Sequence, residues 1–122
     1  MTRRAETGAA GEAYVAGRLA REGYAIVARN WRVPGGELDI VALDDDCLVF
    51  VEVRVRTGQR VQAAEDTVDD AKLERIFTAA EAFVEAHPSY HDHFWRVDFV
   101  AITLGADGVV QRYTHMQNLT AD

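Results

Sequence analysis

Cysteine occurs once, lysine once and proline twice in this chain of 122 residues. A lone Cys47 leaves no internal disulfide, and it opens an apolar run. That suits a packed thiol in a reducing compartment, so a cytoplasmic protein is expected. No apolar segment follows the opening Met-Thr-Arg-Arg-Ala-Glu, so no secretory leader is expected, and no stretch approaches a membrane span. Repeats, low-complexity tracts and linkers are also missing. The expectation is one domain over 1–122, with 1–6 as a loose tail. A domain of this size buries a core without disulfide or metal staples.

An overall basic charge is lacking too. The formal net charge is −7, which argues against a nucleic-acid coat protein. The excess acid lies wholly in residues 61–122, while residues 1–60 balance nine Arg against nine Asp and Glu. Arg18, Arg21, Arg29, Arg32, Arg54, Arg56 and Arg60 could therefore form a local phosphate-facing patch, or be solvated surface charges.

What is present is α/β periodicity in the order α-β-β-β-α-β-β. Thr7 can cap a helix to about Glu22, stopped by Gly23. Its inward stripe reads Ala9, Glu12, Ala13, Ala16, Leu19 and Ala20, with Glu12 on the stripe or its border, where a carboxylate needs a partner. Strands are expected over Tyr24 to about Trp31, Glu37–Leu43 and Cys47–Val55, the first two separated by the turn Pro34-Gly35-Gly36. A second helix starts near Thr67, with Asp69 and Asp70 in its first turn and Val68, Ala71, Ile76, Ala79, Ala80 and Phe83 as its apolar face, and ends before Pro88. Strands Phe94–Leu104 and Val109–Tyr113 follow. A helix between the third and fourth strands implies a crossover and a mixed sheet flanked by helices.

The second hairpin carries the chemistry. With Asp45-Asp46 as a two-residue loop, Leu43 faces Leu48, Val41 faces Phe50, Asp39 faces Glu52 and Glu37 faces Arg54. Leu38, Ile40, Ala42, Val49, Val51, Val53 and Val55 then share the opposite, apolar face. A slip of one residue would separate Asp39 from Glu52. Opposed carboxylates cost roughly 0.2–1 kcal/mol, and more when buried. Mg²⁺, or Mn²⁺ in its place, would compensate, held by Asp39, Glu52 and a backbone carbonyl, that of Val53, with water completing the shell. Such an ion polarises a phosphate oxygen and acidifies a bound water. Glu12 could add a third carboxylate, and Arg54 could hold the scissile phosphate. Arg32, Arg56 and Lys72 are candidates for holding the nucleic acid. The alternative is an ionic cluster in which Arg54 and Arg56 merely neutralise Glu37, Asp39 and Glu52.

Gly11-Glu12-Ala13, Arg29-Asn30-Trp31-Arg32, Gly36-Glu37-Leu38-Asp39-Ile40-Val41-Ala42, Val49-Phe50-Val51-Glu52-Val53-Arg54-Val55-Arg56 and Arg96-Val97-Asp98-Phe99-Val100 follow in that order. Together they resemble the YraN-like family of small bacterial proteins, which is similar to the Holliday-junction-resolvase-like branch of PD-(D/E)xK nucleases. The resemblance implies a restriction-endonuclease-like fold, metal binding by Asp39 and Glu52 with Glu12 nearby, DNA as partner (branched or damaged DNA among the substrates), and a homodimer by analogy. It also places a lysine where this chain has Arg54. Lysine can orient or help deprotonate water, whereas arginine is a fixed cation. Lys72 is the residue that could reach the site instead. A nuclease fold that binds without cutting is the other function implied.

Elsewhere the signals are weak. The segment His87-Pro88-Ser89-Tyr90-His91-Asp92-His93 matches no common zinc spacing and reads as a polar loop. Cys47 has no activating neighbour. Gly8 and Gly11 lack the lysine and preceding strand of a phosphate loop. Trp31 and Trp95 sit in strand patterns as core or edge residues.

Overall fold

The computed structural model describes residues 3–57 and 69–119. Helix α1 (Arg3–Arg21) leads into strands β1 (Ala25–Val33), β2 (Gly36–Asp44) and β3 (Cys47–Thr57). Helix α2 (Asp70–Ala86), a 3₁₀ turn (Pro88–Tyr90), β4 (Phe94–Leu104) and β5 (Val110–Met116) follow. The strands form one sheet in the order β1-β2-β3-β4-β5. All pairs are antiparallel except β3 and β4, whose parallel pairing requires the α2 crossover. This is the α/β order read from the sequence, a five-stranded mixed sheet flanked by two helices.

Two tight turns set the hairpins. Val33 pairs with Gly36 across Pro34-Gly35, and Gly35 takes φ +90, as the third residue of a proline-initiated turn requires. Asp44 pairs with Cys47, so Asp45-Asp46 is the two-residue loop anticipated, with Asp45 at φ +53.

The sheet is covered on both faces. Ile40, Ala42, Val49 and Val51 pack with Val15, Ala16 and Leu19 of α1, and Val53 and Val55 flank them. Val41, Leu48 and Phe50 pack with Ile76, Ala79, Ala80 and Phe83 of α2. Leu38 departs from the anticipated alternation: it lies in the α2 cluster with Val41, not with Ile40. Trp31 meets Phe83 edge-to-face at 5.1 Å and Trp95 meets Phe50 at 5.4 Å, so both tryptophans belong to this core.

Three details of the helices differ from the sequence expectation. Helix α1 starts at Arg3, so 3–6 are helical and Thr7 lies inside the helix instead of capping it. Its buried stripe is Gly11, Val15, Ala16 and Leu19, while Ala9, Ala13 and Ala20 are exposed. The stripe rotates because Val15 offers more apolar surface than its alanine neighbours, and Gly11 admits close approach: a Cβ there would strike Val55. Asp69 is the N-cap of α2, accepting from Lys72 N at 2.8 Å. Thr67 and Val68, expected to open that helix, lie outside the described residues, and Ala71 is exposed.

Candidate functional site

Beyond Ile40 and Val51 the β2–β3 ladder stops, although β2 remains paired with β1 to Gly36 and β3 with β4 to Thr57. The two strands part, and the Asp39 side chain turns into the gap. Its Oδ2 accepts the Val53 N–H at 2.8 Å, replacing a bond that β2 backbone would have made. Glu52, on the same stretch of β3, hydrogen-bonds the Asp39 carboxyl. The two acids therefore meet through their side chains just past the last paired residues; neither Asp39–Glu52 nor Glu37–Arg54, both expected as cross-strand pairs, belongs to the ladder, because it has already opened.

This opening is the floor of a cleft of about 590 Å³. Glu12, Glu37, Asp39 and Glu52 supply its acids, and Arg32, Arg54, Lys72 and Arg75 its cations. Val33, Gly36, Val53 and Ile76 complete the wall. Gly36 is required here: a Cβ would meet the Arg75 carbonyl and Ala79, so its absence lets α2 settle against the start of β2. The Asp69 cap fixes the first turn of the same helix. These two features bring Lys72 over the sheet, where its Nζ lies 2.6 Å from Glu52 Oε2.

The electrostatics are those of crowded acids. Burial, then the charge of Glu52 and the hydrogen bond with it, push the Asp39 carboxyl up to about 8, while the Val53 N–H pulls the other way. Glu12 is also raised, first by burial and then by Asp39; Arg29 and the Asn30 amide oppose that shift. Arg54 Nε is buried without a hydrogen-bond partner.

The candidate residues are thus largely brought together. Glu12, Arg32, Asp39, Glu52, Val53, Arg54 and Lys72 all line the cleft; Arg56 does not. The Arg54/Arg56 neutralisation considered above is not what forms: Glu52 pairs with Lys72, and Glu37 with Arg32 at 2.9 Å. The wider arginine patch disperses. Arg18 pairs with Glu22 and lies over the Tyr113 ring, and Arg60 falls outside the described residues. Sequence reasoning did not select Arg75 or Asn30. Arg75 sits one helical step beyond Lys72, which is a usable signal; a left-handed Asn30 inside a strand leaves none.

The sequence model of an uncharacterised protein family, UPF0102, matches residues 11–102, the span from Gly11 in α1 through β1, the hairpin and α2 to Ile102 in β4. The chain belongs to the UPF0102 family. A UPF0102 protein of Roseiflexus castenholzii is 46% identical over 103 residues, covering 84% of this chain and 83% of the relative. One of Chloroflexus aurantiacus is 40% identical over 109 residues, with 89% and 88% covered. One of Renibacterium salmoninarum is 36% identical over 119 residues, 98% of this chain and 99% of the relative. The resemblance read from the five short motifs is therefore to a family that is itself uncharacterised.

Three other features have ordinary roles. The His87 ring stacks on Phe83 at 4.0 Å, with Nδ1 at 2.7 Å from the Phe83 carbonyl. Asp98 is fully buried and satisfied by Arg96, His115 and the Asn118 N–H. No helix among the described residues is long and apolar enough to cross a membrane.

Proposed function

We propose that the cleft is a divalent-cation-dependent phosphodiesterase site acting on DNA in the cytoplasm, with branched or damaged DNA as the favoured substrate class. One observation carries this reading: strands β2 and β3 part where Asp39 and Glu52 meet, leaving a half-buried and a buried carboxylate crowded together at the floor of an open cleft. Among the described residues no three His, Cys, Asp or Glu side chains are grouped so that together they could hold a metal ion. The donor set fits Mg²⁺ nonetheless, since that ion is commonly held by one or two carboxylates and retains several waters. Asp39, Glu52 and the Val53 carbonyl would hold it. When bound, the ion supplies charge for a phosphate oxygen and acidity for a water.

The chain's own groups do the rest. Lys72 reaches Glu52 from α2 and takes the role the resemblance gives to a strand lysine: it keeps an ammonium beside the attacking water. Arg54 has an unpartnered buried Nε at the cleft wall and receives a phosphate oxygen. Glu12 borders the pair and orders water on the α1 side. Arg32 and Arg75 flank the opening and engage neighbouring phosphates.

Purified protein incubated with branched and linear DNA in Mg²⁺ or Mn²⁺ is expected to cut. Asp39→Ala and Glu52→Ala should each remove the cutting; cleavage that survives both substitutions assigns the activity elsewhere. A second reading rests on Arg54 standing at the strand position of the lysine. In it the chain binds DNA or a protein partner without cutting, binding weakens steeply with salt, and Arg54→Lys restores cleavage. Cutting by the unaltered protein eliminates that reading.

A further inference from the structure

Asn30 has φ +53 in the interior of β1, a left-handed backbone in an otherwise extended strand. Such a residue is a local strain that surrounding structure must hold in place, and it gathers at functional sites. Its position is informative. Arg29 pairs with Ile40 and Trp31 with Leu38, so Asn30 stands opposite Asp39 on the neighbouring strand. Both strands change face across this step: Ala28 and Trp31 pack in one cluster, and so do Val41 and Leu38, three residues apart in each case. Regular strands would put such residues on opposite faces. The same step is where the Asp39 side chain leaves the alternation and enters the gap to accept the Val53 N–H. The Asn30 amide is also close enough to the Glu12 carboxyl of α1 to oppose the rise in its pKa, acting as a hydrogen-bond donor does.

We propose that Asn30 is a positioning residue of the carboxylate site: its left-handed backbone sets the shared kink that turns Asp39 into the cleft, and its amide holds Glu12 beside it. This rests on the reading of Asp39 and Glu52 as cation ligands. The residue type fits both duties. Gly, Asn and Asp tolerate this backbone, but glycine has no donor and aspartate would repel Glu12. Asparagine combines the conformation with a short, neutral donor.

The two duties separate experimentally. In metal-free protein, the Val53 amide proton reports the Asp39 hydrogen bond by its NMR shift and exchange rate. Asn30→Gly, which keeps the backbone, is expected to leave that signal in place. Asn30→Val, which disfavours the left-handed form, is expected to move it and speed exchange at least tenfold. An unchanged signal in a folded Asn30→Val protein overturns the backbone half; if that variant does not fold, Asn30→Ala takes its place under the same criterion. Mn²⁺ titration reads the amide half. Asn30→Gly should weaken Mn²⁺ binding three- to tenfold. The Asn30→Gly effect should vanish in a Glu12→Gln background, because the amide acts through Glu12. An effect that persists there, or a change under twofold in Asn30→Gly, overturns it. If the unaltered protein binds no Mn²⁺, the cation-site reading fails and the amide duty falls with it, while the Val53 signal still decides the backbone duty.

Discussion

The ammonium of Lys72 and the carboxylate of Glu52 are 2.6 Å apart, joining the first turn of α2 to the middle of β3. Glu52 is only 7% exposed at its side chain, so this is the cation that accounts for its charge in the metal-free protein.

Removing Lys72 should therefore have opposite effects on folding and on metal. Lys72→Ala is expected to lower metal-free stability by roughly 1–3 kcal/mol, the cost of leaving a buried charge unpaired. The same substitution removes a competitor for Glu52, so Mn²⁺ should bind more tightly and recover more of the lost melting temperature than in the unaltered protein. DNA cleavage should fall at least a hundredfold, in line with loss of a positioned proton-handling group. Thermal melts with and without Mn²⁺, together with single-turnover cleavage, read all three.

Asp39→Asn should stabilise the metal-free chain by roughly 1–2 kcal/mol while abolishing its response to Mn²⁺. An asparagine keeps an oxygen for the Val53 N–H and can donate to Glu52, ending the repulsion that raises Asp39. Urea unfolding in chelator gives the first number and Mn²⁺ titration the second. A variant less stable than the parent would mean that the acid pair is not a source of strain.

Asp98 sets a pH dependence of its own. Burial pushes its carboxyl up, but the bonds from His115, Arg96 and the Asn118 N–H outweigh that and hold it below the ordinary value of 3.8. A carboxyl with a lowered folded pKa contributes stability that is complete above its unfolded pKa and disappears as pH falls through the folded value. Asp98→Asn should cost about 3 kcal/mol at pH 7. It should also flatten the acid limb of the stability profile below pH about 4. Chemical denaturation between acidic and neutral pH, run on both proteins, tests the sign.

Gly36→Ala should reach the chemistry through packing alone. The added methyl meets the Arg75 carbonyl and Ala79, so α2 must move off β2. Overpacking of this kind costs about 1–3 kcal/mol. Because Lys72 rides on the same helix, cleavage should fall by more than the loss of folded protein explains. Activity per folded molecule, measured against circular dichroism, separates the two.

Much of this architecture was legible in the residues. Asp45-Asp46 set the register that pairs Leu43 with Leu48 and Val41 with Phe50, and that register carries Asp39 to Glu52. What local pattern could not reveal is where pairing ends. The Glu37–Arg54 pair was counted as though the ladder continued, yet the strands part after Ile40 and Val51. Leu38 was placed on the wrong face for a related reason: alternation assumes extended backbone, and Asn30 at φ +53 breaks it on the strand opposite. Lys72 needed knowledge of how closely α2 sits on the sheet, which Gly36 decides through a contact with residues far along the chain. The shift of the α1 stripe to Gly11, Val15 and Leu19 was hidden by an alanine-rich helix whose faces look alike.

The hydrogen bond from Val53 to Asp39 spans a sequence separation of 14, inside a single hairpin. Contacts of that kind form early, whereas the parallel partner of β3 comes only after the α2 crossover. During folding, then, the two negative charges are gathered before their ammonium counterpart arrives. If the pair holds a divalent ion as proposed, that ion would steady the hairpin of a nascent chain before α2 docks and brings Lys72 to Glu52.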